Sequence, residues 1–187
     1  ISPYSLNAML HFNKNSQMAS DFLFVNQTGM LISFVVDGET FEVKNNSGKL
    51  NQHYPINPTI EINFPQVSEK NSFNISILRR ENSYPMLVDG GYVMIQMNTR
   101  SLTLSSILSF NNLTSKNILI DVPNIGFISI ETGDTVFLPP KFCQIRTVNV
   151  MVNETQKTVQ IIKKRQFVEF DNFFLIVITE DIRLLPS

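Results

Sequence analysis

The chain has 187 residues, a formal net charge of −1, 43% hydrophobic residues and one cysteine. The apolar content excludes wholesale disorder, the near-neutral charge argues against nucleic acid as the main partner, and a single thiol excludes an internal disulfide. No run approaches the ~20 apolar residues of a membrane helix.

Apolar runs are short, follow period two rather than 3.6, and are rich in Phe, Ile and Val, so the chain reads as all-β. Residues 4–12 are expected to open the fold as an edge strand. Residues 22–25 form the next strand, Asn26 to Gly29 a turn, and residues 30–36 a strong strand. Asp37-Gly38 joins that strand to residues 39–43 as a two-residue hairpin, because both central positions need positive φ. Residues 44–52 read as a polar loop. Residues 60–64 and 73–78 alternate cleanly, and Asp89-Gly90-Gly91 reads as a loop before the longest extended stretch, 92–104. In that stretch Val93, Ile95 and Met97 share one face. Residues 107–110, 117–122, 126–130, 135–138, 144–152, 158–162 and 167–179 complete the expected strands.

The second half echoes the first. Placing Asn26 on Asn112 carries Thr28 onto Thr114, Ile32 onto Ile118, Phe34 onto Ile120 and Val36 onto Val122. Each copy reads strand, Asn-x-Thr turn, strand. The repeat, with turn signals about every ten residues, predicts two tandem immunoglobulin-like β-sandwich domains, residues 1–102 and 103–187.

Chemistry is sparse. His11 and His53 are the only histidines, and no metal-ligand spacing, phosphate loop or Gly-x-Ser-x-Gly occurs, so neither metal nor cofactor is expected and the chain reads as a non-enzyme. Cys143 reads as a small buried residue at a strand start. Lys163-Lys164-Arg165 is the only basic cluster and reads as a solvated hairpin shoulder. Asn-x-Ser/Thr patterns at Asn26, Asn45, Asn74, Asn112 and Asn153 read as turn residues rather than glycan acceptors. What remains is backbone chemistry: an exposed sheet edge that takes up a partner's strand. The start at Ile1 fits removal of a signal peptide and a secreted or periplasmic location.

Several stretches together resemble the periplasmic pilus-assembly chaperones of the chaperone–usher class. They are the early strand ending in Phe12, the strand end Phe24-Val25-Asn26-Gln27-Thr28, the segment from Asn57 to Phe64-Pro65, and the isoleucine-rich strand from Phe73. Ser109 to Thr114 and Leu138 to Lys141 resemble the family's second domain. The resemblance implies a chaperone that binds a pilus or surface subunit by strand addition, with Val93, Ile95 and Met97 as the alternating donors. It also implies a basic grip on the subunit's C-terminal carboxylate. Here Asn7 and Ala8 stand where the family has an arginine, so Lys14 and Arg100 are the available anchors. The competing expectation is a self-assembling structural subunit, a pilin, adhesin or capsid-type sandwich, with residues 1–6 or 182–187 as an exchanged arm.

Overall fold

Alternation of apolar and polar residues puts one side of each strand in a core, and the strands stack in pairs of sheets. The computed structural model describes residues 20–54, 59–68, 72–76, 82–98, 100–162, 164–170 and 173–179. The first half holds β1 (Ser20–Gln27), β2 (Ile32–Val36), β3 (Glu39–Val43), β4 (Ser47–Tyr54), β5 (Thr59–Asn63), β6 (Ser72–Ser76), β7 (Asn82–Val88), β8 (Gly91–Met97) and β9 (Ser101–Ser106). They form two sheets, ordered β4-β1-β9-β8-β7 and β3-β2-β5-β6. The second half holds β10 (Leu108–Asn112), β11 (Ile118–Val122), β12 (Gly126–Ile130), β13 (Thr135–Phe137), β14 (Thr147–Val152), β15 (Thr155–Gln160), β16 (Gln166–Phe170) and β17 (Phe173–Thr179). Its sheets are ordered β13-β10-β17-β16 and β12-β11-β14-β15. The fold is an all-β sandwich, as the period-two patterning predicts.

The repeat is physical. The order β3-β2-β5-β6 matches β12-β11-β14-β15, and the pair β4-β1 matches β13-β10. The halves diverge at one place. Strand β9 lies between β1 and β8, parallel to β1; β10 instead pairs directly with β17. One cluster of buried residues runs from Phe22 to Leu104, and a second from Leu108 to Phe170. A border at residues 102/103 would cut β9, whose Leu102 and Leu104 are both buried in the first cluster.

Four aromatic rings knit the first core: the Phe24 ring centre lies 5.1 Å from that of Phe22 and 4.9 Å from that of Phe34, both tilted, and 5.0 Å from that of Phe41, edge to face. Each such ring stabilises by roughly 1.5–3 kcal/mol through burial. The Asp37-Gly38 hairpin forms as expected, with φ of 50° and 81°. Asp89-Gly90 makes a second turn of this kind, joining β7 to β8.

Some elements differ from the sequence reading. Residues 44–52 are not a loop. From Ser47 they form β4, whose backbone pairs with β1 while the side chains of residues 47–50 stay exposed, so hydropathy gives no sign of it. The stretch 92–104 is two strands. Asn98 Oδ1 accepts the N–H groups of Arg100 and Ser101 at 2.8 and 2.7 Å, reversing the chain between β8 and β9. Residues 167–179 likewise split into β16 and β17. The expected strand at 4–12 lies outside the described residues.

The Asn-x-Thr turns are buried brackets. Asn26 is fully buried and donates both amide hydrogens, to Met30 O at 2.7 Å and Val43 O at 2.8 Å. Its Oδ1 accepts from Thr28 N and Thr28 Oγ1 at 3.0 and 2.7 Å. Asn112 repeats this, donating to Lys116 O at 2.8 Å and Ile130 O at 2.9 Å and accepting from Thr114 N and Oγ1. Both asparagines serve turns, with no amide hydrogen left for a glycan. Asn112→Ala takes the side-chain partner from the Ile130 carbonyl and the Thr114 amide, while Lys116 O keeps its bond from Thr114 Oγ1; each buried group left short costs about 1–3 kcal/mol. Urea unfolding is expected to show a loss of about 3 kcal/mol. Exposed Ser72→Ala should stay within about 0.5 kcal/mol. A loss below about 1 kcal/mol for Asn112→Ala would remove the bracket from the fold's main supports.

Candidate functional site

The residues singled out for partner binding sit inside the first half. Val93, Ile95 and Met97 are buried in its core. Their strand β8 is paired on both flanks, by β7 and β9. Both ladders of β8 are therefore occupied by the chain's own backbone, and the three side chains fill its own core rather than facing a partner. Length and alternation select this strand in the sequence because those traits also mark a central strand. Of the two anchors, Arg100 is exposed beside the Asn98 turn, with its carbonyl accepting from Leu23 N at 2.8 Å. Lys14 lies outside the described residues.

The halves meet at a close backbone contact. A Cβ on Gly91 would stand 2.1 Å from Pro140 O, and one on Gly29 would stand 2.5 Å from Phe137 O. A 3-10 turn at Pro140–Phe142 packs on this surface. Gln144 Nε2 donates to Gly90 O at 3.0 Å, and Lys141 lies 3.7 Å from Asp89. Ser106, at the end of β9, donates to Leu138 O at 2.5 Å and lies 3.2 Å from Cys143 Sγ. Cys143 thus stands in the joint, half-buried, within reach of the Leu138 and Pro139 carbonyls.

Burial pushes the Cys143 thiol up from its ordinary value, only partly opposed by the Ser106 hydrogen bond. The group is held protonated, the opposite of an activated nucleophile. Among the described residues no cluster of three or more His, Cys, Asp or Glu is placed to hold a metal ion.

Sheet edges remain. Among the described residues eight strands have a single ladder partner: β3, β4, β6, β7, β12, β13, β15 and β16. Natural edges are blunted by charge, proline or shortness. Strand β3 carries Glu39 and Glu42, β4 Lys49, β15 Lys157 and β16 Glu169; Pro85 interrupts β7, and β13 has 3 residues. Lys157 also reaches across to the Glu169 carbonyl of β16. Strands β6 and β12 carry none of these guards.

On β6, Ser72 and Asn74 face water. On β12, Gly-Phe-Ile-Ser-Ile presents Phe127 at 66% exposure, with Ile125 just before it at 37%. Phe127 pairs with Asp121 and Ser129 with Leu119, which in turn pairs with Met151. A partly apolar outer face therefore adjoins an unguarded edge. Strand β12 occupies the place that β3 holds in the first half, where Thr40 and two glutamates stand instead. That contrast, readable by aligning the two copies, is the signal that length and alternation missed.

No protein-family model matches the chain, and no curated protein matches it in sequence.

Gly91→Ala drives a methyl group into the Pro140 backbone and is expected to cost about 1–3 kcal/mol or more. At Gly38, where nothing lies within 4 Å, alanine costs only its positive-φ strain, of order 1 kcal/mol. Thermal melts of the two variants test this; equal losses would mean that the joint is loose. For Cys143, the folded thiol keeps its proton to higher pH than the unfolded one. Its contribution to stability is intact below the unfolded value and is lost as pH rises above about 8.5 and through the folded value. Urea midpoints from pH 7 upward should fall less steeply in Cys143→Ala than in the parent chain.

Proposed function

We propose that the chain is a pair of tandem immunoglobulin-like β-sandwich domains, divided after β9 near Ile107, that acts without catalysis by binding a protein partner through strand addition. The observation that carries the reading is β12: an edge strand free of charge and proline, with Phe127 two-thirds exposed. A partner strand laid along β12 would complete the ladder, each backbone hydrogen bond adding about 0.5–1.5 kcal/mol net. Its alternate side chains would cover Phe127 and Ile125. The resemblance to pilus-assembly chaperones suggests the same mode of binding and a secreted or periplasmic setting, but the surface moves from β8 to β12.

A library of phage-displayed peptides selected on the folded chain tests this. Enriched peptides should be extended, with apolar residues at alternate positions. Bound peptide should slow hydrogen exchange of the β12 amides. Phe127→Lys should weaken binding by tenfold or more, since it removes roughly 1–2 kcal/mol of apolar burial and places a guard on the edge. Protection confined to β4, β6 or β7 would move the site. If the chain instead forms polymers in sedimentation and Phe127→Lys dissolves them, the self-assembling subunit is the better reading.

A further inference from the structure

The basic run at residues 163–165 is not used by a partner at β12. It lies in the connection from β15 to β16, whereas β12 is at the opposite edge of the β12-β11-β14-β15 sheet. The described part of this connection is tied down. Gln166 Oε1 accepts from Ile162 N at 2.9 Å, and its Nε2 donates to Gln160 O at 2.8 Å. Lys164 N donates to Ile162 O at 2.7 Å. Ile161 N donates to Arg146 O at 2.7 Å, which brings Arg146 to the same end of the β14–β15 ladder. Arg146, Lys164 and Arg165 are all exposed, and Lys163 adds a fourth charge to the sequence of this stretch. Two apolar side chains flank the cations: Ile162 at 40% and Phe167 at 62% exposure.

We propose that this end of the second half is a contact surface for an anionic phospholipid membrane. Cations alone suit any polyanion. The apolar pair decides between sources, because an interfacial site joins basic side chains at the headgroups to apolar ones at the acyl boundary. Ile162 precedes the cationic run in the connection and Phe167, the second residue of β16, follows it, so exposed groups of both kinds lie within six consecutive residues of the sequence. Lys157 takes no part, since it lies over the Phe170 ring and reaches the Glu169 carbonyl. Glu169 shares the outward face of β16 with Phe167 and limits the depth of contact to the loop side of that ring. The contact is peripheral and needs no spanning helix; no helix among the described residues is long and apolar enough to cross a membrane.

The test is co-sedimentation of the whole chain with vesicles of phosphatidylcholine alone and with about 30% phosphatidylserine. Binding should require phosphatidylserine and fall with salt. The double variant K164Q/R165Q should weaken it by roughly ten- to thirtyfold, at about fivefold per surface charge. F167S, with charge unchanged, should weaken it by about three- to tenfold. Phe127→Lys, which tests the β12 reading, should leave vesicle binding in place, so the two proposals fail separately. All these positions are exposed, and unchanged circular dichroism spectra confirm folding. The proposal is overturned by equal binding to neutral vesicles, by no binding to either, or by binding that survives K164Q/R165Q. Capture of soluble polyglutamate or RNA that F167S leaves untouched would also overturn it, since the partner would then be a polyanion met by charge alone.

Discussion

Each half of this molecule depends on one asparagine side chain. A primary amide offers two donors and an acceptor with two lone pairs, and Asn26 and Asn112 use all of that capacity inside the protein. The geometry matters as much as the count. Asn26 lies on β1, in one sheet, while Val43 ends β3 in the other. The bracket thus clasps two sheets at a corner where the chain crosses between them. A buried polar group with an unmet bond is costly, so the arrangement tolerates little slippage of register. In the second half the same clasp holds Ile130 O, the last residue of β12. The edge proposed to accept a partner strand is therefore anchored at one end by the bracket and along its length by β11.

Much of the fold is legible in the sequence because burial follows period two. The strands at 22–25, 32–36, 60–63 and 118–122 announce themselves through Phe, Ile and Val at alternate positions. The Asp37-Gly38 turn is readable from backbone sterics alone. Strand β4 is not readable in this way, since Ser-Gly-Lys-Leu-Asn-Gln-His-Tyr gains its place from backbone pairing with β1. The Asn98 reversal is missed for a related reason. It rests on one side-chain acceptor capturing two amides, and the polar run Asn98-Thr99-Arg100-Ser101, without Gly or Pro, gives little warning of it.

The candidate site is less legible than the fold, and the cause is physical. A strand made for an unseen partner and a strand made for the chain's own core have the same apolar alternation. Val93, Ile95 and Met97 satisfy the pattern because they are core. What separates an edge from an interior strand is what is missing: the charge, proline or shortness that keeps an edge from pairing. Such absences acquire meaning only beside a reference. The internal repeat supplies one, since β3 carries Glu39 and Glu42 where β12 has no charge.

The same comparison explains why the two halves are not interchangeable. Gly29 closes the first bracket at φ 80° and admits the backbone of residues 137–139 within 2.7 Å of where its Cβ would be. At the matching place the second copy has Ser115, exposed to water. One turn has become a socket, and its twin has kept a side chain. Gly91 forms the other wall, against Pro140. Two glycines therefore let the second half lean on the first through backbone atoms, where packing gives little room for adjustment. The β9 strand, sealed between β1 and β8, runs into β10 with only Ile107 between them. With a one-residue connection and a backbone-to-backbone joint, the residues 137–144 that bear on Gly29, Gly90 and Gly91 have little room to shift against the first half.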